Sequence, residues 1–212
     1  MTIGQQRAWG RNWARWGADV ADLPDGPLDA AGWFGRVAPV VLEIGSGMGE
    51  STAAMALEAP DVDHLAVEIY QPGLAQLLLR IEQAEINNLR LLRGDACTVL
   101  HEHVAASSLH AVRIYFPDPW PKRRHHKRRL VRPELVALVT SRLAVGGTLH
   151  LATDWEPYAQ EMLAACIAEP ALGNTAGVHG FATRPAWRPV TKFEQRARDE
   201  GRVVRDLLFA RL

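Results

Sequence analysis

The sequence predicts an α/β fold in which a mostly parallel central sheet is covered by helices on both faces. From Val40 onwards, short apolar runs alternate with segments typical of helices, in the order VVLEIG, STAAMALEA, HLAVEIY, PGLAQLLLRIEQAEI and LRLLRGD. This alternation is the βαβαβ pattern of a parallel sheet. The chain has 212 residues, of which 48% are apolar, and this is enough for the core of one large domain.

The second half of the chain continues the same alternation. It contains the runs AVRIYFPDPW and TLHLATD, a segment PELVALVTSRLAVGG that starts a helix at its proline, a helix from about Trp155 to Ala168, and the closing run RVVRDLLFARL. No internal repeat or low-complexity tract interrupts it. We therefore predict a single domain over residues 36–212.

Residues 1–35 are predicted to be an N-terminal arm and a connector. Residues 1–21 place tryptophans and arginines at helical spacing, namely Trp9, Trp13, Trp16, Arg7, Arg11 and Arg15. This pattern favours a helix that docks its tryptophans on the domain, and the alternative is an arm that joins an RNA surface. Proline and glycine residues between Asp22 and Pro39 indicate the connector.

The charge balance and the apolar runs of the chain indicate where the protein works and what it can bind. The chain has 24 Lys+Arg and 24 Asp+Glu residues, so any contact with a nucleic acid must depend on local charge. No run approaches the roughly 18 apolar residues of a membrane helix, and the segment MTIGQQRAWGRNWARWG lacks the features of a secretory signal. We expect a soluble cytoplasmic protein with no membrane contact and no evident obligate protein partner. A monomer is the default expectation, and a homodimer stays possible.

A glycine-rich loop follows the first strand of the alternating region. Gly45, Gly47 and Gly49 stand between an apolar strand and a helix rich in small residues, a context in which backbone N–H groups can lie against a ligand. The loop alone is compatible with a dinucleotide site, a methyl-donor site or a tight turn without a ligand.

Four carboxylates distinguish among these alternatives. Glu43 precedes the loop, and the others follow successive strands, at Glu68, Asp95 and Asp118. Parallel strands gather their carboxyl ends at one sheet edge, where such folds bind ligands. Carboxylates repel a pyrophosphate and attract cations, so NAD or ATP would need compensating cations. S-adenosylmethionine fits, since its sulfonium, ammonium, ribose diol and adenine amine all favour acceptors. The structural alternative is that each acid caps a helix or is solvated.

A rigid turn is followed by a strongly basic segment. Three prolines in Tyr115–Pro121 restrict the backbone and would direct Asp118 into the pocket. The next residues, 122–132, are rich in Lys, Arg and His and contain no acid. Phosphate binding is favoured over a solvated face, because solvated charged faces usually mix signs.

Two further groups are weaker signals. His125 and His126 have no Cys or acid at metal-ligand spacing, and His101 and His103, with Cys97 upstream, are expected to be exposed helix residues. We therefore assign no metal. Locally, residues 191–194 indicate only a helix start, with Thr191 as N-cap and Glu194 completing a capping box.

Taken together, these motifs resemble the bacterial tRNA (guanine-N7-)-methyltransferases. The resemblance covers residues 36–212 and rests on EIGSGMGE (43–50), AVEIYQPGLA (66–75), RGDA (93–96), FPDPWPKRRHHKRRL (116–130), ATDW (152–155) and TKFE (191–194). It implies a Rossmann-like class I methyltransferase fold. It also implies methyl transfer from S-adenosylmethionine to N7 of the variable-loop guanosine of tRNA, position forty-six, which yields 7-methylguanosine and S-adenosylhomocysteine.

The resemblance also implies roles for individual residues. Donor contacts are expected at Glu43, Gly45, Gly47, Gly49, Glu68, Asp95, Ala96 and Asp118, and Asp118 is also the expected catalytic residue. Substrate contacts are expected at Lys122, Asp154, Thr191, Lys192, Phe193 and Glu194. RNA contacts are expected at Arg124, His125, His126, Lys127, Arg128 and Arg129.

Two other functions stay open at this point. The same fold could methylate another RNA or a small molecule, or the chain could be an RNA-binding module without activity. The carboxylates around the glycine loop favour an enzyme, because a phosphate binder gains nothing from them. Only the resemblance selects tRNA. The tryptophan-rich start departs from that family, although 5–17 are loosely similar.

Overall fold

The computed structural model describes all 212 residues. The chain forms two compact units, Met1–Ala105 and Ala106–Leu212. No helix in it combines the length and the apolar character that crossing a bilayer requires.

The first unit contains four parallel strands. They are β1 (Gly17–Asp19), β2 (Val40–Ile44), β3 (Asp63–Glu68) and β4 (Leu89–Arg93), in the order β1-β4-β3-β2. The predicted βαβαβ pattern is confirmed. Since Glu68 is in register with Arg93, the carboxyl ends of β3 and β4 lie side by side, and the loops that follow them can share one site.

The helices of the first unit pack their apolar residues on these strands. They are α1 (Ile3–Trp16), α2 (Ala30–Phe34), α3 (Glu50–Glu58), α4 (Gln71–Ala84) and the short α5 (Ala96–Thr98), which continues into a π-helical turn at Val99–His103. In α4 the apolar residues Leu74, Leu77, Leu78 and Ile81 follow helical spacing and are at most 1% exposed. This spacing is why the helix could be predicted from sequence.

The N-terminal segment is docked on the first unit. Helix α1 packs against α4, where Gln5 hydrogen-bonds Gln76 at 3.2 Å and Arg11 pairs with Glu82 at 2.9 Å. The Trp16 ring is buried under the guanidinium of Arg90, 4.7 Å from the ring centroid. The docked-helix interpretation is confirmed. Strand β1, which follows α1, was not predicted, and the division into an arm and one domain stays a prediction.

The second unit combines parallel and antiparallel pairing. Its strands are β5 (Leu109–Tyr115), β6 (Leu143–Thr153), β7 (Leu172–Asn174) and β8 (Arg205–Arg211), in the order β5-β6-β8-β7. Strand β6 is parallel to β5, and β8 runs antiparallel to both β6 and β7. The helices are α6 (Pro133–Arg142), α7 (Glu156–Ile167) and α8 (Lys192–Asp199). The predicted helix near Trp155–Ala168 is thus confirmed as α7.

Candidate active site

The glycine loop connects β2 to α3 in a conformation that requires glycine. Gly45, Gly47 and Gly49 have φ angles of 81°, 54° and 71°, in the left-handed region that side chains disfavour. The loop also lies against the start of α4, since a Cβ on Gly73 would be 2.1 Å from the carbonyl oxygen of Gly47. The glycine of the segment QPG therefore permits this close approach.

The Glu68 carboxylate fixes the loop to the end of β3. Its Oε2 accepts the Gly47 N–H at 2.9 Å, and its Oε1 accepts the N–H groups of Ile69 and Tyr70 at 2.8 and 2.9 Å. A carboxylate offers about four acceptor positions, so one position on Oε2 stays available to a ligand. Glu68 thus both shapes the site and presents an acceptor.

Two polar residues at the glycine loop are buried, the predicted contact Glu43 and Ser46, which was not predicted. Glu43 in β2 is 5% exposed. The Ser46 side chain is also buried, and its Oγ makes no hydrogen bond within the chain. A buried hydroxyl normally finds a partner, so Ser46 Oγ suits a ligand with a polar group at this loop.

Asp95 and Ala96 stand at the end of β4. The Asp95 side chain caps α5 by accepting the Thr98 N–H at 3.0 Å, and Ala96 is buried beneath it. Asp95 therefore caps a helix through Oδ1, as the structural alternative for these acids predicted. Asp95 is itself exposed and lines the cavity described next.

A cavity of about 720 Å³ lies beside Asp95 in the first unit. Its lining combines Ile69, Gly94 and Asp95 with residues 19–25, which begin at the last residue of β1. Its charged lining is mostly acidic, with Asp19, Asp22, Asp25, Asp95 and Glu102 against Arg93 and His103. Because Arg93 already pairs with Asp19, the cavity favours a neutral or cationic ligand over a phosphate. No sequence pattern indicated that residues 19–25 line a cavity, since they lie within the predicted arm and connector.

Asp118 lies in the second unit, in the proline-rich turn after β5. The side chain is exposed, and both flanking aromatic residues are strained, with φ angles of 50° at Phe116 and 44° at Trp120. Left-handed backbone at residues with bulky side chains costs about 1–3 kcal/mol and is concentrated at functional sites. The turn that presents Asp118 is thus held in one defined, strained conformation.

The basic segment after the turn presents most of its charge to solvent. Lys122 and Arg124 are exposed, and a 3₁₀ helix covers Arg123–Arg128. Arg128 lies over the Trp120 ring, 5.0 Å from its centroid, and His125 meets the same ring edge-on. The predicted RNA contacts at Arg124, His125, His126, Lys127 and Arg128 are at least partly exposed. The segment therefore offers a cationic, partly aromatic surface.

Arg129 is the exception, and its predicted RNA contact needs correction. The residue is 3% exposed and forms an ion pair with Glu161 at 2.5 Å. Its Nε donates to the carbonyl oxygen of Pro119 at 2.7 Å. A guanidinium engaged in this way does not present itself to a phosphate. The sequence could not separate Arg129 from Arg128, because both belong to one uninterrupted run.

The TKFE segment forms the start of α8, as its local pattern predicts. Thr191 is the N-cap, and its hydroxyl accepts the Glu194 N–H at 3.2 Å. Lys192 and Phe193 are exposed, Phe193 by 71%. Glu194 is 1% exposed and is bound by Arg188 at 2.5 Å. A direct substrate contact by the Glu194 carboxylate does not fit this burial, because Arg188 and Arg198 occupy it.

Glu194 belongs to a buried polar network that sequence reasoning missed. Arg188 also donates two hydrogen bonds to Asp206 in β8, at 2.8 and 2.9 Å. Asp206 in turn is 2.8 Å from Nε2 of His150 in β6, whose Nδ1 lies 2.9 Å from the Tyr115 hydroxyl. These contacts join the end of β5 to the start of α8. No sequence spacing signals them, since β6, β8 and the 188–194 segment meet only in the fold.

Burial and hydrogen bonding set the protonation states in this network. Burial lowers the pKa of His150, although Asp206 opposes the change. Burial alone would raise the pKa of Asp206, but hydrogen bonds from His150 and Arg188 bring it below its usual value. A neutral His150 then donates a hydrogen bond from Nε2 to Asp206, and its Nδ1 accepts a hydrogen bond from the Tyr115 hydroxyl.

Asp154 follows β6 and is already partnered. Its carboxylate pairs with Arg202 at 2.6 Å, and its side chain is 19% exposed. It remains accessible enough to meet a substrate, so the predicted contact stays a prediction. The structure describes no cluster of residues that could hold a metal ion.

Comparison with known proteins places this site in a family. A family profile described as "Putative methyltransferase" matches residues 37–207. The tRNA (guanine-N(7)-)-methyltransferase of Streptomyces coelicolor is 50% identical over 214 residues, which cover 100% of this chain and 78% of that protein. This chain belongs to the tRNA (guanine-N(7)-)-methyltransferase family. The family's Bordetella pertussis protein is 50% identical over 211 residues, covering 100% and 81% of the two chains.

Solved structures support the fold of this family member. The 16S rRNA methyltransferase KamB superposes with a TM-score of 0.63 at 15% identity, covering 88% of this chain and 95% of that one. A 30S ribosomal A1408 methyltransferase from an uncultured bacterium gives a TM-score of 0.59 at 12% identity, covering 90% and 100%. The expected Rossmann-like class I methyltransferase fold is confirmed.

Proposed function

We propose that this protein transfers a methyl group from S-adenosylmethionine to N7 of a guanosine in tRNA. The observation that carries the proposal is the identity of about half of all residues, over the whole chain, with tRNA (guanine-N(7)-)-methyltransferases. We further propose that the acceptor is the variable-loop guanosine at position forty-six, that the products are 7-methylguanosine and S-adenosylhomocysteine, and that the enzyme acts as a cytoplasmic monomer.

The residues of the first unit fit S-adenosylmethionine. The glycine loop, the free acceptor position of Glu68 and the unpartnered Ser46 hydroxyl offer hydrogen bonds to its polar groups. The acidic cavity beside Asp95 suits an uncharged adenosine, and the exposed Ile69 side chain on its wall offers an apolar face to a purine. A pyrophosphate cofactor would meet carboxylates without compensating cations. Within this unit we assign donor contacts to Glu43, Gly45, Gly47, Gly49, Glu68, Asp95 and Ala96.

The chemistry makes alignment the main task of the chain. Bound S-adenosylmethionine supplies an electrophilic methyl group on a sulfonium. Guanine N7 has a free lone pair at neutral pH, so no residue has to remove a proton before attack, and orientation governs the rate. The guanine becomes cationic as the bond forms. A carboxylate beside the base stabilises that developing charge more than the ground state, and we assign this role to the exposed Asp118.

The second unit provides the surfaces for RNA. Phe193 presents an exposed ring on which an unstacked base can lie, and it directly follows the predicted substrate contacts Thr191 and Lys192 in the chain. We assign further substrate contacts to Lys122 and Asp154. The exposed cations of the basic segment would bind phosphates. Arg128 stacked on Trp120 combines both functions, because a cation held over a ring can meet a phosphate while the ring meets a base.

The test is methyl transfer from labelled S-adenosylmethionine to an unmodified tRNA transcript, followed by digestion to nucleosides. We expect 7-methylguanosine, and a transcript with the variable-loop guanosine changed to adenosine should not be labelled. Label in another nucleoside would replace the proposed reaction by methylation of a different base. Label that persists in the altered transcript would move the acceptor away from position forty-six.

A further inference from the structure

Two neighbouring arginines of the basic segment, Arg128 and Arg129, differ in their exposure to solvent. Arg128 is exposed, whereas the Arg129 side chain is 1% exposed. Arg129 is the only arginine or lysine between 122 and 129 that is buried. Its location therefore needs an explanation other than contact with RNA.

The guanidinium of Arg129 is held by helix α7. It lies 4.7 Å above the centroid of the Tyr158 ring and pairs with Glu161 at 2.5 Å. Tyr158 is completely buried, and its hydroxyl accepts the Val131 N–H at 2.8 Å. Burial raises the pKa of Tyr158 to about 12, so the ring stays neutral. The arginine thus has a rigid anchor on the side away from the turn.

On its other side Arg129 holds the turn that carries Asp118. Its Nε donates to the carbonyl oxygen of Pro119, the residue that follows Asp118, at 2.7 Å. Pro117, Pro119 and Pro121 have no N–H, so the turn has few donors of its own. A hydrogen bond from a charged donor to a neutral acceptor is among the stronger ones.

The turn needs such support because its backbone is strained. Phe116 and Trp120 have positive φ angles on either side of Asp118, and strained residues persist only when their surroundings over-determine them. Removing the Arg129 bond would let the turn relax and displace the Asp118 carboxylate. A displacement of about 1 Å can lower a rate 10²-fold.

We propose that Arg129 is a positioning residue, which acts through the Pro119 carbonyl to hold Asp118 in place. The expected change in kcat rests on the proposed tRNA methylation. The expected results of hydrogen exchange and of salt-dependent RNA binding do not depend on it. Arg128, one residue away, is the matched comparison because its guanidinium is exposed and available to phosphate.

The variants are Arg129→Lys, Glu161→Gln and Arg128→Ala in the full chain. Lysine keeps the charge but lacks the planar fork that reaches Pro119 and Glu161 together. Glu161 is half exposed, so Glu161→Gln loosens the same anchor with less risk to folding. The probes are steady-state kinetics, salt-dependent binding of a tRNA transcript, and hydrogen exchange of peptides covering 114–122.

We expect Arg129→Lys to lower kcat about tenfold or more with little change in the KM for tRNA, and Glu161→Gln to do so to a smaller degree. Exchange within 114–122 should accelerate in both. The slope of log Kd against log salt should match that of the wild type. Arg128→Ala should instead raise the KM and reduce that slope by somewhat under one unit.

The proposal is overturned if Arg129→Lys reduces the salt slope as Arg128→Ala does, because Arg129 would then contact phosphate. It is also overturned if exchange within 114–122 is unchanged in both Arg129→Lys and Glu161→Gln. Absence of tRNA methylation by the wild type would contradict the proposed function. Exchange and salt slope would still decide the role of Arg129.

Discussion

Arg188 and Asp206 are joined by two hydrogen bonds, Nε to Oδ1 at 2.8 Å and Nη2 to Oδ2 at 2.9 Å. Neither residue is more than 2% exposed. The same guanidinium binds Glu194 through Nη1, so one cation neutralises two buried carboxylates and ties β8 to the start of α8. Because Lys192 and Phe193 are next to Glu194, the network sets where the exposed residues of the TKFE segment lie.

Replacing Arg188 should destabilise the protein strongly. Arg188→Met leaves the buried Asp206 carboxylate without its arginine and removes one of the cations that bind Glu194, and loss of one partner from a buried ion pair costs about 3–5 kcal/mol. Urea unfolding measures the change. The control is Arg196→Met in α8, whose ion pair with Glu200 is exposed to solvent and therefore contributes little to stability. Equal losses in the two variants would contradict the account.

The network also predicts a pH dependence of stability. Because burial lowers the pKa of His150 from its usual 6.5, the unfolded chain binds a proton at a pH where the folded chain does not. Stability should therefore fall as pH drops below about 6.5, by at most about 1.4 kcal/mol per pH unit for this one proton. The charged and polar groups around His150 are Asp206, Arg188, Arg113 and Tyr115.

Urea midpoints between pH 7 and pH 5 test this expectation. His150→Gln should flatten the pH dependence in that range, whereas His110→Gln, at an exposed position of β5, should leave it as in the wild type. Asp206 adds a second loss at lower pH, since its pKa is lowered from 3.8 and its stabilising effect disappears as pH falls through the folded value. A wild-type slope in His150→Gln would show that His150 does not carry this dependence.

Donor binding should depend on Glu68. Glu68→Gln places an amide where three backbone N–H groups need acceptors, so the glycine loop loses its support and the proposed donor site loses a charged acceptor. We expect affinity for S-adenosylhomocysteine to fall about tenfold or more, since hydrogen bonds to charged groups contribute about 1.5–3 kcal/mol. Isothermal titration measures it, with Glu58→Gln at the exposed end of α3 as control. Unchanged affinity in Glu68→Gln would remove this residue from the donor site.

The sequence predicted the elements whose cause is local. Helix α4 repeats apolar residues at helical spacing, and Thr191 caps α8 through the residue three positions later. Strand β1 was missed because three residues give no alternation, and it forms only by pairing with β4. The positions of Glu68 at the end of β3 and of Asp95 just after β4 were predictable in the same way, because they depend on topology alone.

The sequence could not predict which charged residues are buried. Arg128 and Arg129 are equivalent neighbours in the chain, and only Glu161 and Tyr158, some thirty positions later, separate them. The burial of Glu194 likewise depends on its contact with Arg188, and Arg188 in turn binds Asp206 in β8. Such contacts arise between distant segments and have no periodic signature.

The most direct test of the central claim compares 7-methylguanosine formation by the wild type and by Asp118→Ala at saturating S-adenosylmethionine and tRNA. Loss of charge stabilisation at the base should lower the single-turnover rate about 10²-fold or more, while S-adenosylhomocysteine affinity falls much less. Asp61→Ala, at an exposed acid between α3 and β3, is the control. The account predicts 7-methylguanosine from the wild type and from Asp61→Ala with nearly none from Asp118→Ala; an equal rate in Asp118→Ala would contradict it.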